Sequence, residues 1–215
     1  MPELEFTVVG AEPERHAAAP TLSCKLAIRQ AREAVPIQSI SLQCQIRIEV
    51  QRRSYQPQEQ ERLSDLFGAP ERWSETLRGM LWTHIHVTVP PFEGNCVVDL
   101  PVPCSFDFNL AATKYFHGLQ HGEVPLLLLF SGSVFWRDAD GALSMDLISW
   151  QKEARHRLPV QVWRNMMDMY YPNHNWLCLS RPVFEALYEY KRHQGCTGFD
   201  EALLGLLPAA RRHAS

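Results

Sequence analysis

Between Gln38 and Arg52 the chain alternates without a break. Ile40, Leu42, Cys44, Ile46, Ile48 and Val50 are apolar, and Ser39, Ser41, Gln43, Gln45, Arg47, Glu49 and Gln51 are polar or charged. Six apolar positions on a period of two predict a long strand with one buried face. On a helix, whose faces repeat about every 3.6 residues, the same side chains would scatter around the circumference. A greasy strand face of that length has to be covered by a second apolar layer, which makes layered β structure the fold class to expect.

The flanking segments supply candidates for that layer. Leu4, Phe6 and Val8 alternate with Glu5 and Thr7 up to Gly10, and Leu22, Cys24, Leu26 and Ile28 alternate with Ser23, Lys25, Ala27 and Arg29. A short polar link containing Glu33 and Pro36 joins the Thr21–Arg29 strand to the Gln38–Arg52 strand, which makes those two the natural antiparallel neighbours. After Pro57 a charged, helix-permissive run (58–67) is interrupted by Gly68 and Pro70, and 71–77 is a second short helix candidate. The strand Met80 to Val89 places Leu81, Thr83, Ile85, Val87 and Val89 on one face and Trp82, His84, His86 and Thr88 on the other.

Residues 96–108 are extended but carry Pro101 and Pro103, which cannot donate to a ladder and so belong on an edge or at a bulge. A short helix is expected over 109–118. The most apolar segment, 123–137, is broken at Ser131 and Gly132, where a bulge or a change of sheet is expected. Asp138 to Gly141 has hairpin-turn composition and leads into a returning strand with Leu143, Met145 and Leu147. Beyond Trp150 the period turns helical. Ser180 is a candidate N-cap with Pro182 in the first turn, Gly195 a candidate stop, and 199–207 a last short helix.

Strands followed by helices, without βαβ alternation, predict a mainly β (α+β) fold: an antiparallel β-sandwich or strongly curved sheet with C-terminal helices. The expected organisation is a single domain over 1–215, with the β-sandwich core at about 1–150 and a helical cap at about 151–208. At 215 residues such a chain can remove roughly 70% of its unfolded surface from water without staples. The six cysteines are then expected to be reduced thiols, and the start of the chain lacks the basic residues of an export signal, so a soluble, cytoplasmic protein is expected.

Composition argues against several function classes. A net charge of −3 with no basic cluster gives no footprint for nucleic acid. The longest apolar run, Leu126 to Phe130, falls far short of the roughly 20 residues that span a bilayer. There is no G-x-G-x-x-G, no P-loop, no CxxC pair, and Phe-Ser-Gly-Ser-Val at 130–134 lacks the nucleophile elbow. Asp99, Asp107, Asp138, Asp140 and Asp146 are scattered, no nucleophile, base and orienter stand together, and the expectation is a protein without catalytic activity or cofactor.

Two features remain. His84 and His86, two apart on a strand, project from one face and begin a metal site, but neither His117 and His121 nor any cysteine supplies further ligands at a specifying spacing. The block from Val162 to Leu179 concentrates Trp163, Met166, Met167, Met169, Tyr170, Tyr171 and Trp176. Aromatics and methionines at that density either bind a partner or seal the end of a sandwich, and exposure decides between the two. Taken as a partner-binding surface, the block offers Trp163, Met166, Met167, Tyr170, Tyr171 and Trp176.

The opening residues 4–22 (Leu-Glu-Phe-Thr-Val-Val-Gly-Ala-Glu-Pro-Glu-Arg-His-Ala-Ala-Ala-Pro-Thr-Leu), the Trp163 to Pro172 block, Trp176-Leu177 and Tyr188-Glu189-Tyr190-Lys191 together resemble a bacterial family of unknown function. Members of that family are often encoded beside nickel–iron uptake hydrogenases of the actinobacterial type. The resemblance implies an accessory protein that binds a hydrogenase subunit or maturation factor and serves its maturation, assembly or stability. A looser likeness of Leu179 to Tyr190 to the last helix of SecB-type export chaperones implies a holdase instead, and the strand histidines a metal-binding protein.

Overall fold

The computed structural model describes residues 2–32, 34–105, 110–138, 140–174 and 177–213, with side chains described up to residue 207. Two compact units divide the chain, Met1–His174 and Asn175–Ser215.

In the first unit β1 (Leu4–Pro13), β2 (Thr21–Gln30) and β5 (Asn95–Pro103) form one antiparallel sheet in the order β1-β2-β5. The second sheet has five strands: β4 (Met80–Val89), β3 (Ile37–Ile48), β6 (Glu123–Arg137) and β7 (Leu143–Leu147) in that order, with β8 (Glu153–Pro159) also on β6. One apolar core gathers the inward side chains of both sheets, and the stacked rings of Phe6 and Phe130, 4.4 Å apart, join β1 to β6 across it. Helices α1 (Pro57–Phe67), α2 (Trp73–Thr76), α3 (Leu110–Gly118) and α4 (Val160–Tyr170) complete the unit.

The fold is thus an antiparallel sandwich with C-terminal helices, as the pattern predicts, and β3 lies at its centre. Ile40, Leu42, Cys44, Ile46 and Ile48 on β3, and Val50 in the turn that follows, are all buried. β3 is flanked by β4 and β6, so both of its backbone edges are paired.

The pairing of β2 with β3 does not form. β2 lies between β1 and β5, and β3 belongs to the other sheet, so the link after Gln30 crosses from layer to layer. The buried Gln30 carboxamide holds that corner: its Nε2 donates to Val35 O (2.9 Å), and its Oε1 accepts from Val35 N (3.0 Å) and Gly94 N (3.1 Å). Both strands present one apolar face, a pattern that facing layers satisfy as well as adjacent strands do.

β4 departs from simple alternation at its start. The register with β3 steps from Ile46↔Thr83 to Arg47↔Leu81, which makes Trp82 the extra residue of a bulge. Trp82 therefore turns inward onto Phe116 (centroids 5.0 Å) while Leu81 is exposed. Among the described residues β5, with Pro101 and Pro103, pairs only with β2, an edge position. Residues 153–159, expected to begin the helical part, form β8: Ala154 and Leu158 are buried, His156 is half-buried, and Glu153, Arg155 and Arg157 face outward. Arg53 ties the entry of β6 to α1, donating to Glu59 (2.7 Å), His121 O (2.6 Å) and Glu123 O (2.9 Å).

The second unit is a pair of helices, α5 (Arg181–Gln194) and α6 (Phe199–His213), in contact with each other. Phe199 meets Phe184 (centroids 5.5 Å) and Tyr188 (6.4 Å), and Ala202 is buried. Asp107, Phe108 and Asn109, counted above among the carboxylates, the extended segment and the third helix, lie outside the described residues.

Candidate functional site

The aromatic and methionine block is divided by the fold. α4 begins directly after β8 and packs on β1, β2 and β8, so its inward stripe reaches the core. Trp163 stacks on Phe116 at 5.2 Å with planes 9° apart and takes the edge of His117 at 5.0 Å; Met166 is fully enclosed. Met167 and Tyr170 are half-buried against the same core, and Tyr170 Oη donates to the carbonyls of Glu14 and Ala17, which pins the β1–β2 connection. Tyr171 is half-buried, Met169 is exposed, and Trp176 lies outside the described residues. Trp163 and Met166 are therefore not presented to a partner: their side chains close the sandwich because the 3.6-residue period of α4 turns both toward it.

His84 and His86 do project together from the outer face of β4, opposite Gln45 and Gln43 of β3. His86 Nε2 lies 3.0 Å from Ser41 Oγ. Both rings line an open groove of about 560 Å³ whose other walls include Ser131 and the 83%-exposed Trp150. Among the described residues no three His, Cys, Asp or Glu side chains converge as metal ligands. The neighbours that the sheet register places beside the two imidazoles are amides and a hydroxyl, hydrogen-bonding groups rather than zinc ligands.

Other titratable groups are occupied by the fold. Cys24, Cys44 and Cys104 are buried; burial pushes the Cys24 and Cys44 thiols up to about 12 and raises Cys104 too, so none is a ready thiolate. Asp99 is lowered by its hydrogen bond from Lys25, which also pairs with Glu12 across β1, β2 and β5. Asp146 accepts from Trp136 Nε1 at 2.8 Å. His117 is lowered by burial and then by Arg164, and His156 by burial. A second cleft, of about 480 Å³, is lined by Glu3, Arg32, Lys152 and the end of β7, but Glu3 already pairs with Arg32 at 2.8 Å and Lys152 at 3.9 Å.

Large exposed apolar side chains occur elsewhere. In the helical unit Leu177, Val183, Phe184, Tyr188, Leu204 and Leu207 are exposed; on the sandwich, Leu143, Met145 and Leu147 of β7 are. The i, i+4 spacing of Phe184 and Tyr188 is visible in the sequence, but which covered faces leave others uncovered is not.

These features define a class: an antiparallel β-sandwich with an appended pair of amphipathic helices, bearing exposed apolar side chains on an edge strand and on the helices. The chain belongs to a family of unknown function, DUF6084, whose model matches residues 1–215. No curated protein matches it. Among solved structures it is similar to the sporulation control protein Spo0M from Bacillus subtilis, at 11% identity and TM-score 0.30, over 90% of this chain and 56% of that one. It thus spans about half of that protein's length, 56%. It is also similar to β-glucosidase 3B from Thermotoga neapolitana, a complex with α-D-glucose, at 12% identity and TM-score 0.21, over 73% of this chain and 17% of that one. Likenesses this slight carry no argument about what the chain does. No helix among the described residues is long and apolar enough to cross a membrane.

Proposed function

We propose that this is a non-enzymatic accessory protein that acts by binding another protein, and that the helical unit Asn175–Ser215 makes the contact. The observation that carries the reading is the exposed apolar set of that unit, with Phe184 and Tyr188 one turn apart on α5 and Leu204 and Leu207 on α6. Among the described residues Ala202 is the unit's one buried side chain, and although Phe199 meets Phe184 and Tyr188 both of those rings stay exposed; helices of this length owe their stability to tertiary packing. An apolar groove on a partner supplies it, with Phe184 and Tyr188 as anchors. A nickel–iron hydrogenase subunit or maturation factor as that partner is supported by the sequence resemblance described above, and by no feature of the fold.

The test is affinity purification of the tagged full chain from its native host, with partners identified by mass spectrometry. The expected result is one dominant partner, a hydrogenase subunit or maturation factor, lost in the Phe184→Ser/Tyr188→Ser/Leu204→Ser variant while the sandwich's thermal midpoint stays within about 3 °C. Retention of the partner by that variant removes the helical unit from the reading. A broad set of unfolded clients, together with suppression of aggregation in vitro, replaces the adaptor with a SecB-like holdase.

A further inference from the structure

β7 lies along the second half of β6, in register Ser133↔Leu147, Phe135↔Met145 and Arg137↔Leu143. Hydrogen bonds at both ends set the phase of the ladder: Asp138 N donates to Ala142 O, and Ile148 N donates to Gly132 O. In an antiparallel pair the bonded positions alternate, so Ser144 and Asp146 face β6 with their backbone groups while Leu143, Met145 and Leu147 direct theirs away from it. Among the described residues those outward groups have no partner. The side chains of the same three residues are 62%, 56% and 67% exposed. Natural edges are blunted by proline, charge, bulges or shortness; Pro101 and Pro103 blunt β5, whereas the short β7 has no proline, lysine or bulge and carries one charge, Asp146, whose carboxylate accepts from Trp136 Nε1.

The sequence Leu-Ser-Met-Asp-Leu has the same apolar-polar pattern read from either end about Met145. We infer that β7 pairs antiparallel with β7 of a second copy of this chain, across a two-fold axis at Met145. Leu143 then lies beside Leu147 of the second copy and Met145 beside its own equivalent. Phe135 and Met145 share one row on one face, so the row continues as thioether, thioether and ring in the second copy. On the opposite face Ser144 lies beside Asp146 of the second copy, where a hydroxyl donates to a carboxylate, and the two-fold repeats the bond. All the outward N–H and C=O groups of Leu143, Met145 and Leu147 are satisfied, and each five-stranded sheet continues into the other. A second copy matches this pattern by symmetry.

The full chain is tested by sedimentation equilibrium and amide hydrogen exchange. The expected result is a reversible dimer at about 100 μM, the range in which a small strand-edge contact is populated. Met145→Pro removes an outward N–H and leaves the bonds to β6 in place, a tolerated edge substitution, so it should abolish the dimer without lowering the thermal midpoint. Met145→Lys sets two ammonium groups opposite each other at the axis and should raise the dissociation constant at least tenfold; it serves if the proline variant does not fold. In the wild type the amides of Leu143, Met145 and Leu147 should gain protection with concentration, while those of Ser144 and Asp146 are protected throughout. A monomer at about 100 μM, a dimer that withstands both substitutions, or a dimer lost in the Phe184→Ser/Tyr188→Ser/Leu204→Ser variant overturns the proposal.

Discussion

Gly132 shows how one residue carries a constraint that alternation hides. Its φ of +133° is open to glycine, and a Cβ there would sit 1.9 Å from Ser41 O of β3. The strand order explains why: near this point the pairing of β6 along one edge passes from β8 to β7, while its pairing with β3 continues. Gly132→Ala should therefore destabilise by on the order of 3 kcal/mol, whereas Gly10→Ala, with nothing within 4 Å of its Cβ, should cost no more than about 1 kcal/mol; urea denaturation distinguishes them. Neither the bulge nor the change of sheet expected at Ser131 and Gly132 forms, since β6 keeps its register with β3 through both, and the carbonyl that forbids a side chain at Gly132 was not readable from the residues. Two partly desolvated imidazoles, the half-buried His156 and the surface-lying His117, give a second prediction at this scale. His117 against Trp163, and His156 with its Nε2 buried and without a partner among the described residues, both titrate below the ordinary 6.5. A depressed folded value means that the unfolded chain takes the proton first, so their stability contribution is complete above 6.5 and is lost as pH falls through the folded values. The urea midpoint should drop between about pH 7.5 and pH 5.5, and by less in His117→Gln/His156→Gln.

Strands whose alternation is uninterrupted were legible as elements, β3 above all, because a period of two has one structural solution. Pairing was less so: the apolar faces of β2 and β3 meet the same core from opposite layers, and the Gln30 corner that separates them depends on contacts with Val35 and Gly94. β8 was hidden because a histidine and an alanine occupy inward positions where larger apolar residues would announce a strand. For α4 the composition was equally compatible with a binding face and a seal, and packing resolves it residue by residue. Met166→Ala should cost about 3 kcal/mol as a cavity opens beside the core, while Met169→Ala, at a side chain 41% exposed, should stay within about 1 kcal/mol. Equal costs in a denaturation series would contradict that assignment.

At the scale of the molecule the chain separates at His174/Asn175, so β8 and α4 belong to the sandwich unit and the helix pair α5–α6 stands as a compact unit of its own. The proposed partner contact and the proposed self-association use different parts: the first the exposed face of the helix pair, the second the edge of β7. Substitutions at Phe184 and Met145 should for that reason act separately, one on partner capture and the other on dimerisation. By itself the sequence determined that the chain is layered β structure with helices after it, because periodicity sets which side of an element is apolar. Tertiary structure alone decided which layer each strand joins, which aromatics are enclosed and which edges stay open, because these depend on distant residues meeting, as Ser41 meets Gly132 and Phe116 meets Trp163.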